Sequence, residues 1–144
     1  MKEKGSGSID HLFLRAEESN QLRLVFSAWN IGEILGALDE RHRRKLITDD
    51  EYSSTLFNFS DETLRMTRRG STSILPVAGR VLTASWQILV QEHIYAADAL
   101  QIASCKDAEC EFFLSADRRL VKAARNQGLT GFDPANDEKR LRSL

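Results

Sequence analysis

Apolar stretches of four to seven residues alternate with longer segments of helical periodicity, and this alternation limits the folds open to the chain more than any other feature. Leu22-Arg-Leu-Val-Phe26, residues 71–77, Glu111-Phe-Phe-Leu-Ser115 and residues 129–132 read as strands. Helices are predicted over 8–18, over 28–44 with Ser27 as N-cap, and from the capping box Thr48-Asp-Asp-Glu51 to a stop at Gly70. Further helices are predicted over 79–93, 96–108 and 117–127, the last closed by Gly128. Short apolar strands separated by helices cannot pair as hairpins; they need crossover connections and so make parallel sheets covered by helices. The expected class is therefore α/β, a parallel-sheet α/β/α sandwich, organised as one domain over residues 1–144. In such folds ligands bind beyond the carboxyl ends of the strands.

Composition narrows the function classes. With 20 basic and 21 acidic residues the net charge is −1, which argues against a broad electrostatic grip on nucleic acid. The basic residues are nonetheless clustered, at Arg41, Arg43, Arg44 and Lys45 and again at Arg65, Arg68 and Arg69. Both clusters fall where cations complement a helix C-terminus, and both would also suit a local phosphate contact. Arg80 interrupts the greasiest stretch, Ile74 to Val90, so no membrane span is expected. No apolar segment follows the basic start, so no signal peptide is expected either. Cys105 and Cys110 are too few for a disulfide framework, and a reducing cytoplasm is the expected setting. Packing accounts for the two cysteines, and His11, His42 and His93 read as surface or capping residues.

Three carboxylates stand out by position. Glu33 lies opposite the apolar face Ile31, Ile34, Leu35 and Leu38 of its helix, yet its own helical neighbours are Trp29, Gly36 and Ala37. A close neighbour across that face is expected; simple exposure is the alternative. Asp98 shares a face with Ile102 and Cys105 in the first turn of its helix, where it serves either the helix dipole or a bound cation. Asp117 follows a strand and opens a helix, the position of an N-cap and also of a ligand-binding edge. Were all three to converge within about 6 Å, each pair would repel by roughly 3 kcal/mol at an effective dielectric near 20. The total rivals a domain's whole stability, so convergence demands either protonation or a bound cation. Oxygen-only donors suit Mg²⁺ or Mn²⁺, and such ions activate water for in-line attack on a phosphodiester.

Several segments around these residues resemble the PIN-domain family, in particular the small VapC-like ribonucleases of toxin and antitoxin pairs. The resemblance rests on Ala97-Asp-Ala-Leu-Gln-Ile-Ala103, on Phe113-Leu-Ser-Ala-Asp-Arg-Arg-Leu120, and on Ala123-Ala-Arg-Asn-Gln-Gly-Leu129 with Phe132-Asp-Pro134. Trp29-Asn-Ile-Gly-Glu33 fits the family's helix-borne glutamate. The resemblance implies a Mg²⁺- or Mn²⁺-dependent endoribonuclease in which Glu33, Asp98 and Asp117 are the catalytic metal ligands. It places Ser115 at a hydroxyl position beside the last aspartate, with Arg118 and Arg41 steering the phosphates of RNA. An antitoxin protein and a second copy of the chain are the implied protein partners. Family members open with a central strand ending in an aspartate. Here Lys2-Glu-Lys-Gly-Ser matches the loop downstream of it, and Asp10 sits on a helix. The implied fold therefore lacks its first, central strand, by truncation or by loss. One metal ligand fewer than the family's set is expected, as are flanking strands with unpaired edges and marginal stability.

Two other function classes follow from the same residues. A non-catalytic PIN-like module would bind an antitoxin peptide or its own copy, with Leu56, Phe57 and Phe59 as a dimer seam. A phosphoacceptor receiver domain would need an aspartate ending a central strand and a lysine after a later one, and neither stands out.

Overall fold

The computed structural model describes residues 4–19 and 21–144. In chain order the elements are α1 (Ser6–Glu18), β1 (Leu24–Ser27), α2 (Ala28–Arg43), α3 (Asp49–Arg69), β2 (Thr72–Leu75) and α4 (Gly79–Glu92). They continue with α5 (Ala96–Asp107), β3 (Phe112–Leu114), α6 (Arg118–Asn126), β4 (Thr130–Phe132) and the short α7 (Glu138–Leu141). The chain is mixed α/β, mostly helical, with short strands that pair in parallel. Those strands form two separate pairs, β1 with β2 and β3 with β4. The loop reading of Lys2 to Ser6 lies partly outside the described residues.

Two compact units divide the chain. The first comprises the described residues before Arg23 together with Val77–Leu144, and the second is Arg23–Pro76.

In the first unit β3 and β4 run in register from Phe112 opposite Thr130 to Leu114 opposite Phe132. The core gathers Val81 and Ile88 of α4, Ala99, Leu100, Ile102, Ala103 and Cys105 of α5, Phe113 of β3, and Leu120, Ala123 and Ala124 of α6. The small residues on α5 and α6 let backbones approach closely, and α4 packs mainly on α5. A bidentate pair fastens α4 to α5 from outside, Arg80 Nε and Nη2 donating to the two Asp107 carboxylate oxygens at 2.7 and 2.8 Å. Glu92, at the end of α4, accepts from Gln127 Nε2 at 2.7 Å and Asn126 Nδ2 at 2.8 Å beyond and at the end of α6. The apolar side chains of α4 are only half covered. Val81 and Ile88 are buried, whereas Leu82, Trp86 and Val90, each four residues from the next, remain exposed.

In the second unit β1 and β2 pair from Leu24 opposite Thr72 to Ser27 opposite Leu75, with α2 and α3 between them in sequence. Both helices start as predicted. Ser27 accepts from the Trp29 N–H and closes a capping box with Asn30, and Thr48 closes one with Glu51. Gly70 ends α3 in the left-handed conformation at φ 77°. Three of the seven basic residues in the two clusters pair within their own helix, Arg43 with Asp39, Arg44 with Glu40 and Arg65 with Glu62. His42 is more than a surface residue, since it stacks on Tyr52 with ring centroids 4.3 Å apart and contacts Asp49 at 2.7 Å.

The carboxyl edge of β3 and β4

The end of β3 is built by three adjacent residues. The Ser115 N–H donates to the Phe132 carbonyl at 3.1 Å, carrying the β3–β4 ladder one step past the strand. Ser115 Oγ then accepts from the Asp117 N–H at 3.1 Å, which turns the chain out of the sheet. Asp117 Oδ1 accepts from the N–H groups of Arg119 at 2.7 Å and Leu120 at 3.3 Å, so the carboxylate caps α6 as its sequence position predicts. Both cap bonds use one oxygen, and the residue is exposed.

Arg118, next in the chain, projects into solvent with its Nε 3.6 Å from Asp133 Oδ2. Asp133 follows β4 and is buried. It accepts from the Ala135 N–H at 2.9 Å and from Asn136 Nδ2, while its own N–H donates to Asp137 Oδ2 at 2.9 Å. The Ala135 N–H, then the Asn136 amide and the Arg118 charge, hold its carboxyl below the usual aspartate value of 3.8. In the sequence Asp133 stands out only within Phe132-Asp-Pro134, just past the last strand. Its signal is the Asp-Pro-Ala-Asn run, the composition of a turn in which the aspartate bonds its own backbone two residues on.

Asp98 sits at the third position of α5 and is the acidic residue of its first turn. Tyr95 at the N-cap supplies no side-chain cap bond, so the aspartate's charge complements the helix dipole there. It is half-buried, and Ile102 and Cys105 on the same face are buried, matching the predicted apolar surroundings.

Glu33 and Arg41 belong to the second unit. Glu33 is exposed on α2 and accepts from Asn30 Nδ2 at 3.4 Å. A β-carbon built on Gly32 or Gly36 would meet nothing within 4 Å, so among the described residues no group packs closely on those two positions. Arg41 is exposed in the last turn of α2, where its charge complements the helix end.

The structure thus joins Ser115 to Asp117 directly and sets Arg118 beside Asp133. Among the described residues no group of three or more His, Cys, Asp or Glu side chains is assembled to hold a metal ion. A groove of about 320 Å³ runs along α4 and α5, lined by Arg80, Gln87, Ile88, Gln91, Lys106 and Gln127 among others. None of the predicted site residues lines it. Among the described residues no helix is long and apolar enough to cross a membrane. No protein-family model, no curated protein and no solved structure matches the chain.

Proposed function

We propose that the chain is a PIN-like ribonuclease-type module, an α/β/α parallel-sheet sandwich in its finer fold, that hydrolyses RNA phosphodiesters with Mg²⁺ or Mn²⁺. The reading is carried by Asp117, an exposed carboxylate at the carboxyl end of a parallel strand, which caps α6 through one oxygen and is flanked by a hydroxyl and an exposed guanidinium. Glu33, Asp98 and Asp117 offer oxygen donors alone, which is the chemistry of a hard divalent ion. Such an ion, when bound, supplies an activated water and neutralises phosphate charge. The described residues do not fit an assembled three-carboxylate centre, so the proposal assigns donor identity and no coordination geometry. At the strand edge Ser115 fixes the turn, Asp117 anchors α6, and Arg118 presents the planar fork that binds phosphate oxygens in pairs. An antitoxin protein and a cytoplasmic setting belong to the same proposal.

The test is cleavage of labelled RNA in Mn²⁺ by the chain and by Asp98→Asn and Asp117→Asn. Asparagine is as good an N-cap as aspartate, so Asp117→Asn removes the charge and keeps α6 in place. Cleavage falling about 100-fold or more in both variants, with melting temperatures unchanged, is the expected result. Full cleavage by either variant, or none by the parent chain, overturns the nuclease reading.

A second reading, a non-catalytic module that pairs with its own copy, is favoured by α3. Phe57 and Leu64 lie seven residues apart on one face and are 71% and 55% exposed. Sedimentation of the chain beside Phe57→Glu separates the two: an RNA-inert dimer that the charge dissociates supports the module.

A further inference from the structure

Four helices of the described chain, α2, α3, α5 and α6, end in the same closure. A residue in the left-handed conformation follows the helix, at Lys45, Gly70, Glu109 and Gly128. The N–H of the next residue reaches back to a carbonyl five positions earlier, Leu46 to Arg41, Ser71 to Met66, Cys110 to Cys105 and Leu129 to Ala124, at 3.0 to 3.1 Å. This is the Schellman motif, and it brings the side chains of the two bonded residues into contact. In α5 both are cysteines, and both are free thiols.

We infer that Cys105 and Cys110 form a reversible intramolecular disulfide when oxidised by hydrogen peroxide, a modification site built by the helix-ending motif itself. The Cys110 N–H to Cys105 carbonyl bond of 3.0 Å caps the separation of their Cα atoms at about 7 Å, within reach of the roughly 4.4–6.8 Å that a disulfide spans. The environments of the two cysteines differ in the way an attacking and a resolving thiol require. Cys110 is half-buried, and the hydrogen bond from Cys105 lowers its thiol from 9.0 to about 7. Cys105 is buried in the core against Ile102 and Phe113, donates weakly to the Phe112 carbonyl at 3.8 Å, and is pushed well above the usual thiol value by its bond to Cys110 and by burial.

The steps balance without a metal. The Cys110 thiolate attacks one peroxide oxygen, the O–O bond breaks, and the leaving hydroxide takes a proton to become water. The Cys105 sulfur then attacks the resulting sulfenic acid sulfur, the S–O bond breaks, and the hydroxyl leaves as a second water with the Cys105 proton. Two thiols lose two electrons, and one peroxide is reduced to two waters. The bond would staple the turn that joins α5, which carries Asp98, to β3, which leads to Ser115 and Asp117. The inference stands whether or not those residues cleave RNA.

The experiment treats the reduced full chain with hydrogen peroxide, alkylates what remains, and weighs the intact protein and its peptides. Expected is a monomer lacking two hydrogens, alkylated on neither cysteine, with a peptide linking Cys105 to Cys110 that a phosphine reopens. In Cys105→Ser, dimedone should trap Cys110 as the sulfenic acid. In Cys110→Ser, peroxide should consume Cys105 at least about tenfold more slowly than it consumes Cys110 in the parent chain. Two alkylated thiols after peroxide, or disulfides only between chains, overturns the inference. The parent chain alone decides this, so a variant that fails to fold does not weaken the test.

Discussion

Gly5 is where a single side chain meets the most resistance. It precedes α1 at φ 94°, and a β-carbon there would lie 2.8 Å from the Pro134 carbonyl carbon and 2.9 Å from the Ala135 nitrogen. Backbone atoms in a turn cannot step aside as a flexible side chain can, so Gly5→Ala combines a conformational penalty with a clash. A loss of about 1–3 kcal/mol is expected, read as a lowered urea midpoint, whereas Gly36→Ala in the open face of α2 should gain about 0.5–1 kcal/mol. Equal effects at the two positions would contradict this account. The sequence shows Gly5 only as part of a turn or frayed start, because the group that presses on it comes from the far end of the chain. Asp117, by contrast, was legible as a cap, since its partners are two and three residues away.

At the scale of elements, beginnings and ends were legible where short-range chemistry decides them. Thr48 and Glu51 bond each other's backbone N–H groups, so the start of α3 is written within four residues. Thr48→Ala should cost about 1 kcal/mol and Thr48→Ser almost nothing, which chemical denaturation of the two variants will measure. Which face of a helix is covered is a different matter. In α4, Val81, Ser85 and Ile88 repeat with the same period as Leu82, Trp86 and Val90, yet the first row is buried and the second exposed. Periodicity marks both rows equally, and only the neighbour that packs there chooses between them. The same limit applies to α2, whose Gly32 and Gly36 are open to added bulk although their spacing beside Glu33 suggested close packing.

At the scale of the whole molecule, five carboxylates tied into the structure share one direction of shift. Asp49 beside His42, Glu51 in its capping box, Glu92 under Gln127 and Asn126, Asp107 beside Arg80 and Asp133 in its turn are all held below their ordinary values of 3.8 for aspartate and 4.5 for glutamate. A group with a depressed folded value adds stability above its unfolded value and loses it as pH falls through the folded one. The melting temperature should therefore be flat above about pH 5 and decline below about pH 4; a rise on acidification would refute the pairing described. The parallel strands and the α/β class were legible in the sequence because alternation is a long-range pattern. The division into two units was not. It arises where the chain interrupts the first unit at Arg23 and resumes it at Val77, and the interrupting segment buries only Met66 among its apolar side chains.

Parallel pairing gives that interruption an unusual property. A hairpin insertion gives the polypeptide back where it was taken, so it can be trimmed to a tight turn. Here β1 is entered at Leu24 and β2 is left at Leu75, which stand at opposite ends of their ladder. The detour's way in and way out are thus separated along the ladder by three residue steps, about 10 Å at the usual rise per residue. Whatever replaces this detour in a shortened chain has to run extended across that span, as a strut and not as the tight turn that serves a hairpin.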